Sequence, residues 1–173
     1  MVLEIYSLAS VDYISATMKS TTVDITNRKK LNALLNGLTP ETPALWGNLK
    51  AHSMVEHLVE AVEYTNGKKI AIVHVSPGEA DSNKQLLVHG DVVITKGAKG
   101  YLTDATKNKR YKDLRTAIKQ LNREIDAFEH FFASPGKTAV HQHFGAMNRE
   151  EWITWHGKHF THHFKQFGLI KSQ

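Results

Sequence analysis

Apolar residues recur at helical intervals in four stretches of the chain, and turn residues divide them. In residues 26–38, Leu31, Leu34 and Leu35 fall three and four apart, with Gly37 and Pro40 as stop signals. In residues 51–64, Met54, Leu58, Ala61 and Val62 share one side, Glu56, Glu60 and Glu63 mark the expected wet face, and Asn66-Gly67 closes the helix. Residues 109–132 carry a long stripe of Leu114, Ile118, Leu121, Ile125 and Phe128, stopped by Ser134-Pro135-Gly136. The last helix, residues 152–167, is announced by Asn148-Arg149-Glu150-Glu151, a capping box with Asn148 as cap and Glu151 three residues on, and ends at Gly168.

The four helices predict an all-α domain without internal repeats. Between the second and third, residues 68–108 hold two β-prone runs at 70–75 and 91–97 beside several glycines, so a short β-hairpin or a long loop is expected there. Residues 5–18 could form a turn of helix or a docked arm. The expected division is an N-terminal extension over 1–20 and one helical domain over 21–173.

Composition narrows the chemistry. Hydrophobic residues make up 41% and charged residues 23% of the 173, which fits one ordinary globular core. No cysteine occurs, so any metal site must use nitrogen and oxygen ligands, and a reducing, cytoplasmic setting is expected. The start of the chain has Glu4 where an export signal carries positive charge, and no apolar run approaches the roughly 18 residues of a membrane span. The net charge of +5 is scattered among acidic residues. The densest basic stretch, 107–110, has no interleaved aromatic pair, so neither a nucleic acid nor a membrane is an expected partner.

Histidine is the residue type that carries candidate chemistry. Stepping about 100° per residue along 152–167 puts His156, His159 and His163 in a narrow arc around Trp152, with Gln166 close by, while His162 falls off the arc and is expected at the surface. His159 and His163 are four apart, one turn along the same face, where both imidazoles can reach one ion. A catalytic site of the zinc type uses three protein ligands, so a third must come from another helix, and His57 at the edge of the second helix's apolar stripe is available. By itself an i, i+4 histidine pair is more often a hydrogen-bonded core or surface pair, and spacing leaves the choice open.

Longer motifs add to this. The second helix contains Ala51-His52-Ser53-Met54-Val55-Glu56-His57-Leu58, preceded by Leu45-Trp46-Gly47. The C-terminal part contains Phe144-Gly145-Ala146-Met147-Asn148-Arg149-Glu150-Glu151-Trp152, then Lys158-His159-Phe160-Thr161-His162-His163-Phe164-Lys165-Gln166-Phe167-Gly168. These segments resemble the DinB/YfiT-like superfamily, in its branch with A-x-x-M-x-E-H-L and K-H-x-x-H-H-x-x-Q-F-G motifs, over roughly residues 25–170. The resemblance implies a four-helix bundle, often a homodimer, holding a divalent metal (Ni, Zn, Mn or Fe) on His57, His159 and His163. It also implies a small-molecule substrate and a low-molecular-weight thiol as co-reactant, in a thiol-dependent S-transferase or isomerase whose metal turns the thiol into a thiolate at neutral pH.

The chain departs from the branch at His52, where relatives often have glutamine, and at Gln142, which interrupts a frequent H-P-x-F-G pattern over 141–145. His141 and His143 are expected in a surface loop ahead of the last helix. Trp46, Trp152 and Trp155 could wall a pocket or pack in the core, and His156 could be a fourth ligand, a proton shuttle or a lining group. No carboxylate earns a catalytic role, since Glu56 projects about 100° from His57. Besides the thiol-dependent enzyme, two readings remain open: a non-enzymatic helical module for a small ligand or metal, and a metal-dependent hydrolase.

Overall fold

In the computed structural model, residues 22–97 and 109–171 are described. The 1–20 extension, its 5–18 segment and the start of the 107–110 basic stretch lie outside these residues. The described chain is mainly helical: α1 (Arg28–Leu35), α2 (Ala51–Glu63), α3 (Pro77–Lys84) running into a π-helical turn (Gln85–His89), α4 (Leu114–Phe131), the strands β1 (Ala139–His141) and β2 (Gly145–Met147), and α5 (Arg149–Gln166). Only α2, α4 and α5 are long; α1 and α3 have eight residues each. The expected four helices are therefore five, and α3 is the addition.

Local signals account for the boundaries. Asn27 caps α1 by accepting from the Lys30 N–H, and Asp113 caps α4 by accepting from Thr116 N–H, which starts that helix at the first residue of its apolar stripe, five residues later than the expected 109. The capping box of α5 is complete: Asn148 Oδ1 accepts from Glu151 N–H at 3.0 Å, and Asn148 N–H donates to Glu151 Oε2 at 2.8 Å. Asn148→Ala should cost about 1 kcal/mol in a urea melt, and an unchanged midpoint would show that the box contributes nothing.

The expectation for 68–108 needs correction. Within its described part the β-prone runs form no strand; Ile70 and Ile72 are 88% and 73% exposed, because no neighbouring strand offers a surface for them to pack on. A helix lies between those runs instead. Ser76 caps it by accepting from Glu79 N–H, Pro77 occupies the first turn and Glu79 faces the positive end of the helix dipole. The observed hairpin joins α4 to α5, pairing Ala139 with Met147 and His141 with Gly145, whose φ of +67° suits glycine at the bend.

One core unites the elements. Side chains of α2 (Met54, Leu58, Val62) and α4 (Leu121, Ile125, Phe128), which pack along each other, meet Phe160 and Phe164 of α5 and Leu31 and Leu35 of α1. The expected wet face of α2 is instead covered. Glu56 is fully buried: its Oε1 accepts from the N–H groups of Arg110 and Tyr111, both at 2.8 Å, and faces His52 Nε2 at 3.1 Å. Glu63 is gripped by the Arg110 guanidinium at 2.7 and 3.0 Å, with Lys69 at 3.3 Å, while Glu60 pairs with Lys69. Carboxylates can line this face because Arg110 and Tyr111 before α4 and Lys69 just after α2 supply the donors. Glu56→Ala should cost about 3–5 kcal/mol, since it strands two backbone donors and His52, and loss below about 1 kcal/mol in urea unfolding would contradict that role.

Among the described residues, no helix is long and apolar enough to cross a membrane.

Candidate metal centre

Two of the long helices bring the three sequence-selected histidines together. His57 projects from α2, and His159 and His163 project from α5 one turn apart. Their ring centroids form a nearly equilateral triangle, with sides of 4.9, 4.9 and 4.8 Å. His57 Nε2 lies 2.9 Å from His159 Nε2, which lies 3.1 Å from His163 Nε2, and one ligand nitrogen from each residue falls within 4.8 Å of the others. The three are close enough to hold one metal ion.

Proton placement at this triangle is constrained. Gln166 donates from Nε2 to the carbonyl of Trp46 at 3.0 Å, so its Oε1 is the acceptor facing His163 Nδ1 at 2.9 Å. His163 therefore carries its proton on Nδ1, and its Nε2 presents a lone pair. His159 Nε2 then faces two ring nitrogens with a single in-plane direction, whether that direction holds an N–H or a lone pair. It cannot make two well-aligned hydrogen bonds: in any neutral arrangement one approach is left without a proton between the nitrogens, or an Nε2–H of His159 is shared weakly between both. One cation within reach of all three nitrogens would take up a lone pair from each. Two nitrogens each about 2.1 Å from one ion stand roughly 3.0–3.4 Å apart at angles between octahedral and tetrahedral, a span that the observed approaches nearly match.

The surroundings keep the rings in the form a metal requires. His163 is buried, and burial followed by the proximity of His57 pushes its pKa down to about 3. His159 is held well below the usual histidine range by burial and then by His163 and His57. Neutral imidazole is the ligating species, so little proton release opposes binding near neutral pH.

The other histidines fall elsewhere. His156 is 1% exposed, stacked on Trp152 at 5.4 Å and set edge-on to Phe128. The Thr65 hydroxyl donates to the Val62 carbonyl at 2.8 Å and so accepts from His156 Nε2–H at 3.1 Å; burial pushes this ring to a pKa of about 3. It is a core residue one turn before the triangle. His162 is half-buried, not at the surface as expected, because the chain around Ile94 lies over it: its Nδ1 is 3.2 Å from the Ile94 carbonyl and its edge meets Trp46. His141 and His143 are also partly buried, because the hairpin folds back on α5. His141 stacks on Phe144 at 4.0 Å between Trp152 and Trp155, and burial and then His143 lower it to about 3. Trp152 is core, donating from Nε1 to the Ala139 carbonyl at 3.1 Å.

Sequence spacing passed over what holds the triangle from behind. Gln166 was visible on the histidine arc and Trp46-Gly47 in the motif, but only the fold shows that they bond to each other.

Comparison with known proteins adds a partial match. Residues 86–168 are similar to a family described as a protein of unknown function (DUF1569), a stretch of just under half the chain that includes His159 and His163 and leaves out His57. No curated protein and no solved structure matches the chain.

Proposed function

We propose that this chain binds one divalent metal ion through His57, His159 and His163 and works as a metal-dependent enzyme on a small-molecule substrate, with thiol transfer or isomerisation as the first reaction to test. The observation that carries the metal is the close nitrogen triangle: His159 Nε2 lies 2.9 and 3.1 Å from two other ring nitrogens, and neutral tautomers cannot give both approaches a well-aligned hydrogen bond. Three imidazoles without a carboxylate leave positions open for an exogenous ligand and suit Ni, Zn, Mn or Fe. When bound, such an ion lowers the pKa of a coordinated thiol or water, which serves both a thiol-dependent S-transferase and a hydrolase.

The thiol reading rests on the likeness of the Ala51–Leu58 and Lys158–Gly168 motifs to the DinB/YfiT-like superfamily. The chain's own part is to position three neutral nitrogens, to keep them unprotonated by burial, and to wall the site with Trp46 and His162. No acid or base besides these rings is required by that arrangement.

Metal analysis of untagged protein purified without chelators should find about one equivalent of a transition metal per chain. No metal, and no uptake on titration with Ni, Zn, Mn or Fe salts, would sink the proposal. A panel of low-molecular-weight thiols with electrophiles then tests the reaction. Turnover lost in His57→Ala supports the enzyme, whereas saturable thiol binding without turnover by the metal-loaded protein would favour a binding module.

A further inference from the structure

Gln166 makes three contacts that converge on one point of the fold. Its Oε1 faces His163 Nδ1 at 2.9 Å, its Nε2 donates to the Trp46 carbonyl at 3.0 Å, and its backbone carbonyl accepts from Leu45 N–H at 2.7 Å. The residue is 7% exposed, so these bonds are made largely out of water, where an unmade one is costly. Gly47 completes the arrangement: it has φ of +72°, and a Cβ placed there would stand 3.1 Å from Gln166 Nε2. A side chain at residue 47 would be strained by its backbone and would press on the amide. The loop over 45–47 and the last turn of α5 are thus fastened to each other through the side chain that also holds His163.

We infer that Gln166 is a positioning residue for the metal centre: it fixes the tautomer and ring direction of His163, and it ties them to the 45–47 loop. This inference rests on the metal reading for its affinity effects, but its tautomer claim concerns the metal-free protein and stands apart from it. The direction of the amide is set by the Trp46 carbonyl, which can only accept; this leaves Oε1 for the ring and forces the His163 proton onto Nδ1. Without that acceptor nothing selects Nδ1–H over Nε2–H, and the Nε2–H form has no lone pair on the nitrogen that faces His159. Partners of this kind change metal affinity by about 10–100-fold. Trp46 also meets the edge of His162 at 6.0 Å and lies beneath Lys96 Nζ at 4.8 Å, so the loop places this aromatic group against His162, whose ring is 5.1 Å from that of His163. The same fastening therefore couples the position of Trp46 to the geometry at His163.

Two substitutions separate the parts. Gln166→Glu keeps an acceptor for the Nδ1–H but replaces the donor to Trp46 with a second oxygen; Gln166→Leu removes both. In metal-free protein, long-range proton–nitrogen NMR should show His163 as the Nδ1–H tautomer in the native chain and in Gln166→Glu, and as mixed or Nε2–H in Gln166→Leu. Zn and Co(II) titration should show affinity about 10–100-fold weaker for Gln166→Leu, with an altered Co(II) absorption spectrum, and weakened less in Gln166→Glu. An Nε2–H tautomer for His163 in the native chain, or loss of the Nδ1–H signature in Gln166→Glu, would overturn the inference, as would Gln166→Leu binding Zn within twofold of the native protein. Should Gln166→Leu fail to fold, the glutamate variant and the native tautomer still decide it. A native chain that takes up no metal yet shows Nδ1–H at His163 would defeat the metal proposal and leave the positioning of His163 by Gln166 standing.

Discussion

Replacing His159 by alanine should abolish stoichiometric metal binding, a loss of more than about 100-fold in affinity, since an outer partner alone is worth 10–100-fold. His159 is the member with two short approaches, 2.9 Å to His57 and 3.1 Å to His163, so its removal leaves one nitrogen from α2 and one from α5 with no shared neighbour. The loss should also appear as stability. A ligand that binds only the folded state at 1,000 times its dissociation constant adds about 4 kcal/mol, which for a chain of this size is a rise of roughly 8–16 °C in Tm. Saturating metal should raise the native Tm by that order and leave His159→Ala unmoved. His89→Ala, at an exposed histidine paired with Glu151, should keep the full rise. Native affinity in His159→Ala would remove that residue from the ligand set.

Mild acid should unfold the metal-free protein well before its carboxylates titrate. His141 and His156 stand at about 3 in the fold, each chiefly through burial, against about 6.5 in the unfolded chain. Between those values the unfolded state binds protons that the folded state refuses, so the stability of unfolding falls as pH falls. The contribution is complete above about pH 6.5 and is lost progressively toward pH 3. Each such ring removes about 1.4 kcal/mol per pH unit, so the two together take about 3 kcal/mol per unit, with His159 and His163 steepening the decline when no metal holds them. A domain at the lower end of the usual 5–15 kcal/mol is exhausted within about two units. Urea midpoints measured at intervals from pH 7.5 to 4.5 should trace this slope. His156→Gln, which retains an amide donor for Thr65 and cannot titrate, should reduce it by about 1.4 kcal/mol per unit. Equal stability at pH 7.5 and 5 would show that these rings are hydrated in the fold.

Periodicity carried the sequence furthest where one element controls its own form. The stripe from Leu114 to Phe128 and the Asn148 to Glu151 box located α4 and α5 because helix formation and capping depend on residues within a few positions. The same local logic was available for α3 in Ser76-Pro77-Gly78-Glu79, and the β-prone runs on either side obscured it. Three-residue strands such as β1 and β2 give almost no periodic signal, and their pairing depends on α5 providing a floor for His141 and Phe144.

By itself the sequence determined the histidine face of α5, its start at a capping box, and the absence of thiolate ligands, since each follows from identity and spacing along one segment. Only the tertiary structure decided that His57 lies within reach of His159, that His156 is a buried neighbour, that Glu56 is core, and that Gln166 holds His163 against Trp46. The physical reason is the same in each case. A metal-sized gap between nitrogens, a desolvated carboxylate and a hydrogen bond spanning 120 residues are set by how separate helices and loops pack, and no short-range pattern encodes the distance between them.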